Sequence, residues 1–318
     1  MNLPRLGEEL PMATAFITHR DCNLHVMGEH HPECPQRLDA INDRLIAAGL
    51  DLHLHYREAP SAQMEHLLRA HARPYVEMLE QSVPTQGVVH LDPDTAMSPG
   101  TWDAALRAAG AGVLATDLVM QRQVENAFCA VRPPGHHAER ARAMGFCFFN
   151  NIAIAALHAL DAWSLERVAI VDFDVHHGNG TEQILAGDER VLMVGTFQHP
   201  FYPYSGADSS AANMLNVPLP AGTRGEIFRE VVSTRWLPRL HDFKPQMIFI
   251  SAGFDAHYED DMASLGLLEA DYAWVTCELM EVAAVWARGR IVSMLEGGYD
   301  LSALSRSVAA HIKVLADL

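Results

Sequence analysis

The sequence predicts an α/β fold: one domain spanning residues 1–318, with a central parallel sheet flanked by helices and a site in the loops at the carboxyl ends of its strands. Three observations predict it. Strand-like runs alternate with helix-like stretches along the chain. The strand-like runs are nearly continuous in apolar residues, as strands covered on both faces must be. The segment after each run is crowded with Gly, His, Asp or Tyr, and open parallel sheets build their sites beyond the carboxyl ends of strands.

In chain order, helices are expected over PQRLDAINDRLIAAGL (35–50) and PGTWDAALRAAGAGVLATDLVMQ (99–121). The first strand is NAFCAV (126–131), leading into RPPGHHAERARAMGF; the helix NNIAIAALHALDAW (150–163) follows. RVAIVDF (167–173) is a β-branched run feeding HHGNGT, and RVLMVGTF (190–197) feeds QHPFYPYSG. The helix TRGEIFREVVSTRWLPRLHDF (223–243) is expected to be interrupted at Pro238, which has no N–H to donate. QMIFIS (246–251) delivers AGFDAHYEDD, and EADYAWVTCELMEVAAVWARG (269–289) is helical. RIVSML (290–295) ends on EGGYD before the closing helix DLSALSRSVAAHIKVLADL (300–318). With no internal repeat, low-complexity tract or Ser/Gly-rich linker, the chain reads as a single domain.

Composition excludes several classes. The chain is 49% apolar and 20% charged, as globular chains are. It lacks the roughly 18 uninterrupted apolar residues that a membrane span needs. The opening MNLPRLGEELPMATAF has no basic region followed by an apolar one, so no secretory leader is expected. Cysteines 22, 34, 129, 147 and 277 form an odd set without a CxxC pair, which argues against a disulfide framework and for a reducing cytoplasm. A net charge of −17 and no Lys/Arg cluster disfavour nucleic-acid binding. The same acidity would attract a cationic substrate, or it serves solubility alone.

The most informative stretch is VAIVDFDVHHGNGTEQI (168–184). A core-forming run climbs into Asp172, Asp174, His176 and His177 and breaks on Gly178. Buried ionised carboxylates require compensation, and a metal cation is the leading candidate to supply it. In extended backbone, Asp172, Asp174 and His176 share a face. Asp255, at the end of another apolar run, is the natural further ligand. Such an oxygen-rich set suits Zn²⁺ or Fe²⁺. The strand-face argument does not separate Asp172 from Asp174 as ligand. Taken singly, the aspartates would pass as turn caps and His176 as a core histidine.

RPPGHHA (132–138), GFCFFNN (145–151), VDFDVHHGNGT (171–181), SAGFDAH (251–257) and LEGGYD (295–300) together resemble the zinc-dependent histone deacetylase family. That family includes bacterial deacetylase-like amidohydrolases and acetylpolyamine amidohydrolases, on the arginase/deacetylase fold. THRDCNLHVMGEHHPECPQRLDAI (18–41) extends the resemblance over nearly the whole chain, and Asn179 is similar to the class II-like branch. The resemblance implies a hydrolase that removes acetyl or acyl groups from N-acyl-lysine side chains or acetylated polyamines. It implies Asp174, His176 and Asp255 as metal ligands, with Asp172 beside them rather than among them. His136 would pair with Asp172 and His137 with Asn179. An Asp partner favours the imidazolium and a neutral Asn does so far less, so His137 is expected to be the general base and His136 a charged helper. Tyr299 would donate to the oxyanion, with Gly297 and Gly298 giving its backbone room.

By the same resemblance, Gly145, Phe146, Tyr202 and Gly297 belong to a narrow substrate channel. Asp94, or failing it Asp92, is the rim carboxylate. Arg37 lies near an acetate exit, with a surface-helix arginine as the alternative. Gly195 stands where a small hydroxyl residue is usual, which weakens a family-type structural K⁺ site. Tyr202 makes the channel slightly polar and Tyr204 adds bulk near its mouth. A two-manganese ureohydrolase is the rival enzyme, because DAHYED (255–260) superficially resembles that group's signature. A non-catalytic binder of acylated ligands is the other rival. The expected partner is a small-molecule or peptide N-acyl amine, with neither nucleic acid nor membrane; a homo-oligomer is compatible with the sequence.

Overall fold

The computed structural model describes residues 14–318. Residues 1–13, most of the segment read as lacking a leader, lie outside the described residues. The strands are β1 Thr14–Thr18, β2 Leu54–Glu58, β3 Val89–Asp92, β4 Thr95–Met97, β5 Asn126–Cys129, β6 Val168–Asp172, β7 Val191–Gln198, β8 Met214–Leu219, β9 Ile248–Ala252 and β10 Ile291–Leu295. Eight form one sheet in the order β2-β1-β5-β10-β9-β6-β7-β8. Every pairing in it is parallel. β3 and β4 make a separate antiparallel hairpin.

The helices are α1 Gln36–Ala47, α2 Met64–Ala70, α3 Arg73–Gln81, α4 Thr101–Met120, α5 Asn151–Ala162, α6 Asn179–Leu185, α7 Gly225–Val231, α8 Leu237–Phe243, α9 Glu269–Val282 and α10 Leu301–Leu315. α4 packs on β1, β5 and β10, α5 on β6 and β9, and α10 on β5 with α1 and α9 beside it. Every residue of β5, β6, β9 and β10 is buried, so both faces of the sheet are covered and continuous apolar runs are required there. Among the described residues no helix is long and apolar enough to cross a membrane.

The five expected strands and six expected helices are present, most of them trimmed at their ends. Pro238 does not break its helix. A π turn over Val232–Trp236 precedes α8, and the N–H of Leu237 reaches back five residues to Val232 O. Widening the helix just before a residue with no N–H keeps the backbone helical through it. A second π turn, Ala283–Ala287, closes α9.

Candidate active site and metal centre

Five of the loops leaving the carboxyl edge meet at one place. The strand-face geometry expected for Asp172, Asp174 and His176 is replaced by a bend. β6 ends at Asp172, whose Oδ1 accepts the N–H of Asp174 at 3.0 Å; Asp174 Oδ1 then accepts the N–H of His176 at 2.9 Å. Each carboxylate thus folds the next two residues over itself, an Asx-type turn. The bend separates the two aspartates. Asp172 spends its other oxygen on His136 Nδ1 at 3.0 Å, whereas Asp174 turns toward Asp255 and His176. His177 points away, to Ser205 Oγ at 2.9 Å and Glu182 Oε2 at 2.7 Å.

Asp174, His176 and Asp255 each present a ligand atom within 4.8 Å of the others, and all three are buried. His176 Nδ1 is 3.0 Å from Asp174 Oδ1 and 3.1 Å from Asp255 Oδ2. Asp255 Oδ2 is buried without a hydrogen bond. Burial, and then the Asp174 charge, push the Asp255 carboxyl up to about 6. Two carboxylates and an imidazole converging on an unsatisfied oxygen fit a divalent cation. Gly253 and Gly297 make the space: a Cβ would fall 2.0 Å from Asp174 Oδ2 at the first and 2.1 Å from Asp255 Oδ2 at the second. Gly297 was expected in the substrate channel. Instead it packs behind the triad, its N–H donating to Asp174 Oδ2 at 2.8 Å, because that approach leaves no room for a side chain. Among the described residues no second ligand cluster exists, as a two-metal ureohydrolase site would require. Asp260, in the DAHYED segment, accepts the N–H groups of Tyr299 and Asp300 instead.

The tandem histidines follow β5. Glu296, at the end of β10, accepts the N–H of Gly135 at 2.7 Å and of His136 at 3.1 Å, which fixes their turn. Burial opposes a charge on His136, but Asp174 and Asp172 outweigh it and hold the ring well above its usual range. Burial, then the charge of His136, hold His137 well below its usual range. His137 Nδ1 faces Asn179 Oδ1 at 2.8 Å. Adjacent rings of the same kind are thereby driven to opposite protonation states.

A pocket of about 220 Å³ opens above the triad. His137 and His176 reach its floor, Tyr299, Phe146 and Tyr202 wall it, buried Gly145 lines it against His137, and half-buried Asp94 stands at its rim. Gly145 and Phe146 both adopt left-handed backbone, φ +58° and +67°. Any Cβ at 145 would sit 2.3 Å from His137 Cδ2. The Phe146 ring meets Tyr299 edge-on at 5.9 Å, and Tyr202 meets His137 edge-on at 5.3 Å. The Tyr202 hydroxyl is buried without a partner. Tyr204 is exposed and stands outside the pocket lining. Asp94, rather than Asp92, lines the pocket: Asp92 bonds Arg142 at 3.3 Å and accepts the N–H of Asp94. Burial, then Asp92, raise the Asp94 carboxyl.

Arg37 is 0% exposed, which removes the surface-helix alternative. It donates to Gly298 O at 2.7 Å and Glu296 O at 2.5 Å, and its guanidinium lies 5.0 Å from the Tyr299 ring. Glu33 bridges it to Arg132, with all three side chains fully buried. Phe201, Met262 and Glu296 are absent from the sequence expectations. Phe201 stacks on His176 at 5.5 Å and lines the pocket with Met262. Glu296 carries the signal that exposed Asp172, an acid ending an apolar run. Met262 carries none.

Comparisons with known proteins agree with this geometry. A histone deacetylase domain matches residues 31–315. A probable deacetylase of Archaeoglobus fulgidus is 37% identical over 91% of this chain and 82% of its own. The histone deacetylase-like amidohydrolase of Pseudomonas aeruginosa is 35% identical over 90% of this chain and 82% of its own. The crystal structure of the HDA15 HD domain superposes with a TM-score of 0.91 at 33% identity, covering 96% of this chain and 88% of that one. A buried Asp–His–Asp set at the carboxyl edge of an eight-stranded parallel sheet, matched in sequence and shape over almost the whole chain, places this protein in the histone deacetylase family.

Proposed function

We propose that this protein is a zinc-dependent amidohydrolase that removes acetyl or related acyl groups from N-acyl-lysine side chains or acetylated polyamines. The observation that carries the reading is the meeting of Asp174, His176 and Asp255 beneath a narrow pocket shared by His137 and Tyr299. Held by those three residues, Zn²⁺ would supply Lewis-acid polarisation of the scissile carbonyl and a lowered pKa for the attacking water. His137, neutral because it is buried beside a cationic neighbour, takes the water's proton and passes it to the leaving amine. His136 stays an imidazolium against Asp172 and offsets the negative charge that develops. The Tyr299 hydroxyl donates to the oxyanion from the pocket wall. Phe146 and Tyr202 flank the apolar stem of the substrate, and Asp94 accepts its N–H or ammonium proton. The amide C–N bond breaks to give a carboxylate and a free amine.

A second reading, restriction to acetylpolyamines, is favoured by the Asp92–Asp94 pair at the rim and the net charge of −17. Acetyl-lysine peptides, acetylpolyamines and trifluoroacetyl-lysine assayed side by side, with and without added Zn²⁺, test both. Undiminished cleavage after full chelation would overturn the metal-dependent reading. Metal-loaded protein that hydrolyses none of them would leave only a binding role. All five cysteines are free, which supports placing the protein in a reducing cytoplasm.

A further inference from the structure

An asparagine amide has two ends of nearly equal shape and opposite chemistry, so its neighbours decide which way it faces. Asn179 lies between two such neighbourhoods. On one side is His137 Nδ1, 2.8 Å from Oδ1. On the other, Nδ2 lies 3.0 Å from Glu139 Oε1 and 3.3 Å from Met144 Sδ. An ionised carboxylate and a thioether only accept, so both amide protons are drawn to that side and Oδ1 is left facing the histidine. His137 Nδ1 must then carry hydrogen. A neutral imidazole has one N–H, so Nε2 keeps its lone pair. Reversing the amide would put the hydrogen on Nε2 and leave no base.

We infer that Glu139 is a positioning residue which, through Asn179, fixes the proton-accepting tautomer of His137. This rests on the reading of His137 as the general base. Glu139 does not line the catalytic pocket; it lines a separate surface groove of about 530 Å³ beside His177 and Glu182. The relay is rigid. A Cβ on Gly180 would fall 2.3 Å from the carbonyl oxygen of Ala138, Thr181 N–H donates to His136 O at 3.1 Å, and Asn150 Nδ2 donates to Ala138 O at 3.1 Å. The start of α6 is therefore clamped to the segment that carries both His137 and Glu139.

The test exchanges acceptor for donor. In Glu139→Lys the ammonium donates to Asn179 Oδ1, turning the amide so that its N–H meets His137 Nδ1. In Glu139→Lys with Asn179→Asp, one oxygen serves the lysine, whose charge offsets the new carboxylate and so keeps His137 neutral, and the other again accepts from Nδ1. Zinc-loaded enzyme labelled with ¹⁵N-histidine reports the tautomer directly, with His137→Phe assigning the resonance. The expected result is Nδ1–H in the parent, Nε2–H in the single variant and Nδ1–H again in the double variant. The single variant should lose at least about tenfold in kcat, part of what acid–base catalysis contributes, with KM within about twofold and most of the loss recovered in the double variant. An unchanged tautomer in Glu139→Lys overturns the inference, whether or not activity falls. Failure of the underlying reading looks different: His137→Ala would stay active while the resonances still switch.

Discussion

Removing one oxygen atom, in Tyr299→Phe, separates catalysis from folding. Three contacts hold the residue: the guanidinium of Arg37 over its ring at 5.0 Å, the edge of Phe146 at 5.9 Å, and its N–H donated to Asp260 Oδ2 at 2.6 Å. None of them uses the hydroxyl, so phenylalanine keeps all three. Under the proposed function, what is lost is a donor to the oxyanion, worth about 2.7–4 kcal/mol, or roughly 10²–10³ in kcat. If that interaction forms only in the tetrahedral state, KM stays within about twofold. At about 2 cal/mol/K per residue, a stability loss of 1 kcal/mol would move Tm by roughly 2 °C, so any folding cost is visible separately. The assay is initial rates on an acetyl-lysine peptide across the saturation range, with Zn²⁺ content matched to the parent. A kcat within about threefold of the parent, at equal metal loading, would refute the assignment, since it leaves less than 1 kcal/mol to the hydroxyl.

Four further outcomes are expected. His137→Ala should lower kcat by about 10²–10⁴; because burial and His136 hold that ring well below 6.5, the parent kcat should stay level as pH falls through 6.5, and an acid limb at or above 6.5 would contradict the neutral base. Elemental analysis should find one divalent ion per chain, lost in Asp255→Ala; two ions would revive the ureohydrolase reading. Burial lowers His71 to about 4 and His311 to about 3, so at these two sites the unfolded chain binds more protons below 6.5 and their contribution to stability, full above that pH, falls. The two account for about 4 kcal/mol between pH 8 and pH 5, opposed by the raised His136 and His176, so the check is a comparison: urea midpoints that shift equally over that range in the parent and in a His71→Gln, His311→Gln double variant would count against it. Glu33→Gln leaves Arg37 and Arg132 buried without their shared carboxylate and should cost about 3–5 kcal/mol, read as a lower Tm.

Central strands were legible because burial on both faces forces continuous apolar runs, as in VAIVD and IFISA. The edges were not. β2 leaves His55, Tyr56, Arg57 and Glu58 exposed, and β8 carries Pro218, a residue that usually argues against a strand interior. At the site, residue types were readable and their arrangement was not. A period-two face brought Asp172, Asp174 and His176 together on paper, whereas the carboxylates themselves bend the backbone after β6. Arg37 looked like any helix arginine because its burial depends on Glu33, Glu296 and Gly298, which no local pattern connects. Asp94 became distinguishable from Asp92 only when Arg142 claimed the latter.

The unpartnered hydroxyl of Tyr202 has a practical consequence for inhibitor selectivity. Sealed from water with nothing to bond, it carries a penalty of about 1–3 kcal/mol that a suitable guest can relieve. A slim linker bearing an ether or carbonyl oxygen at the depth of that ring would gain a hydrogen bond here once the ring turns its hydroxyl into the channel, and none against a phenylalanine wall. A plain alkyl linker would leave the penalty in place, so one oxygen atom in a synthetic ligand is enough to tell this channel from an all-hydrocarbon one.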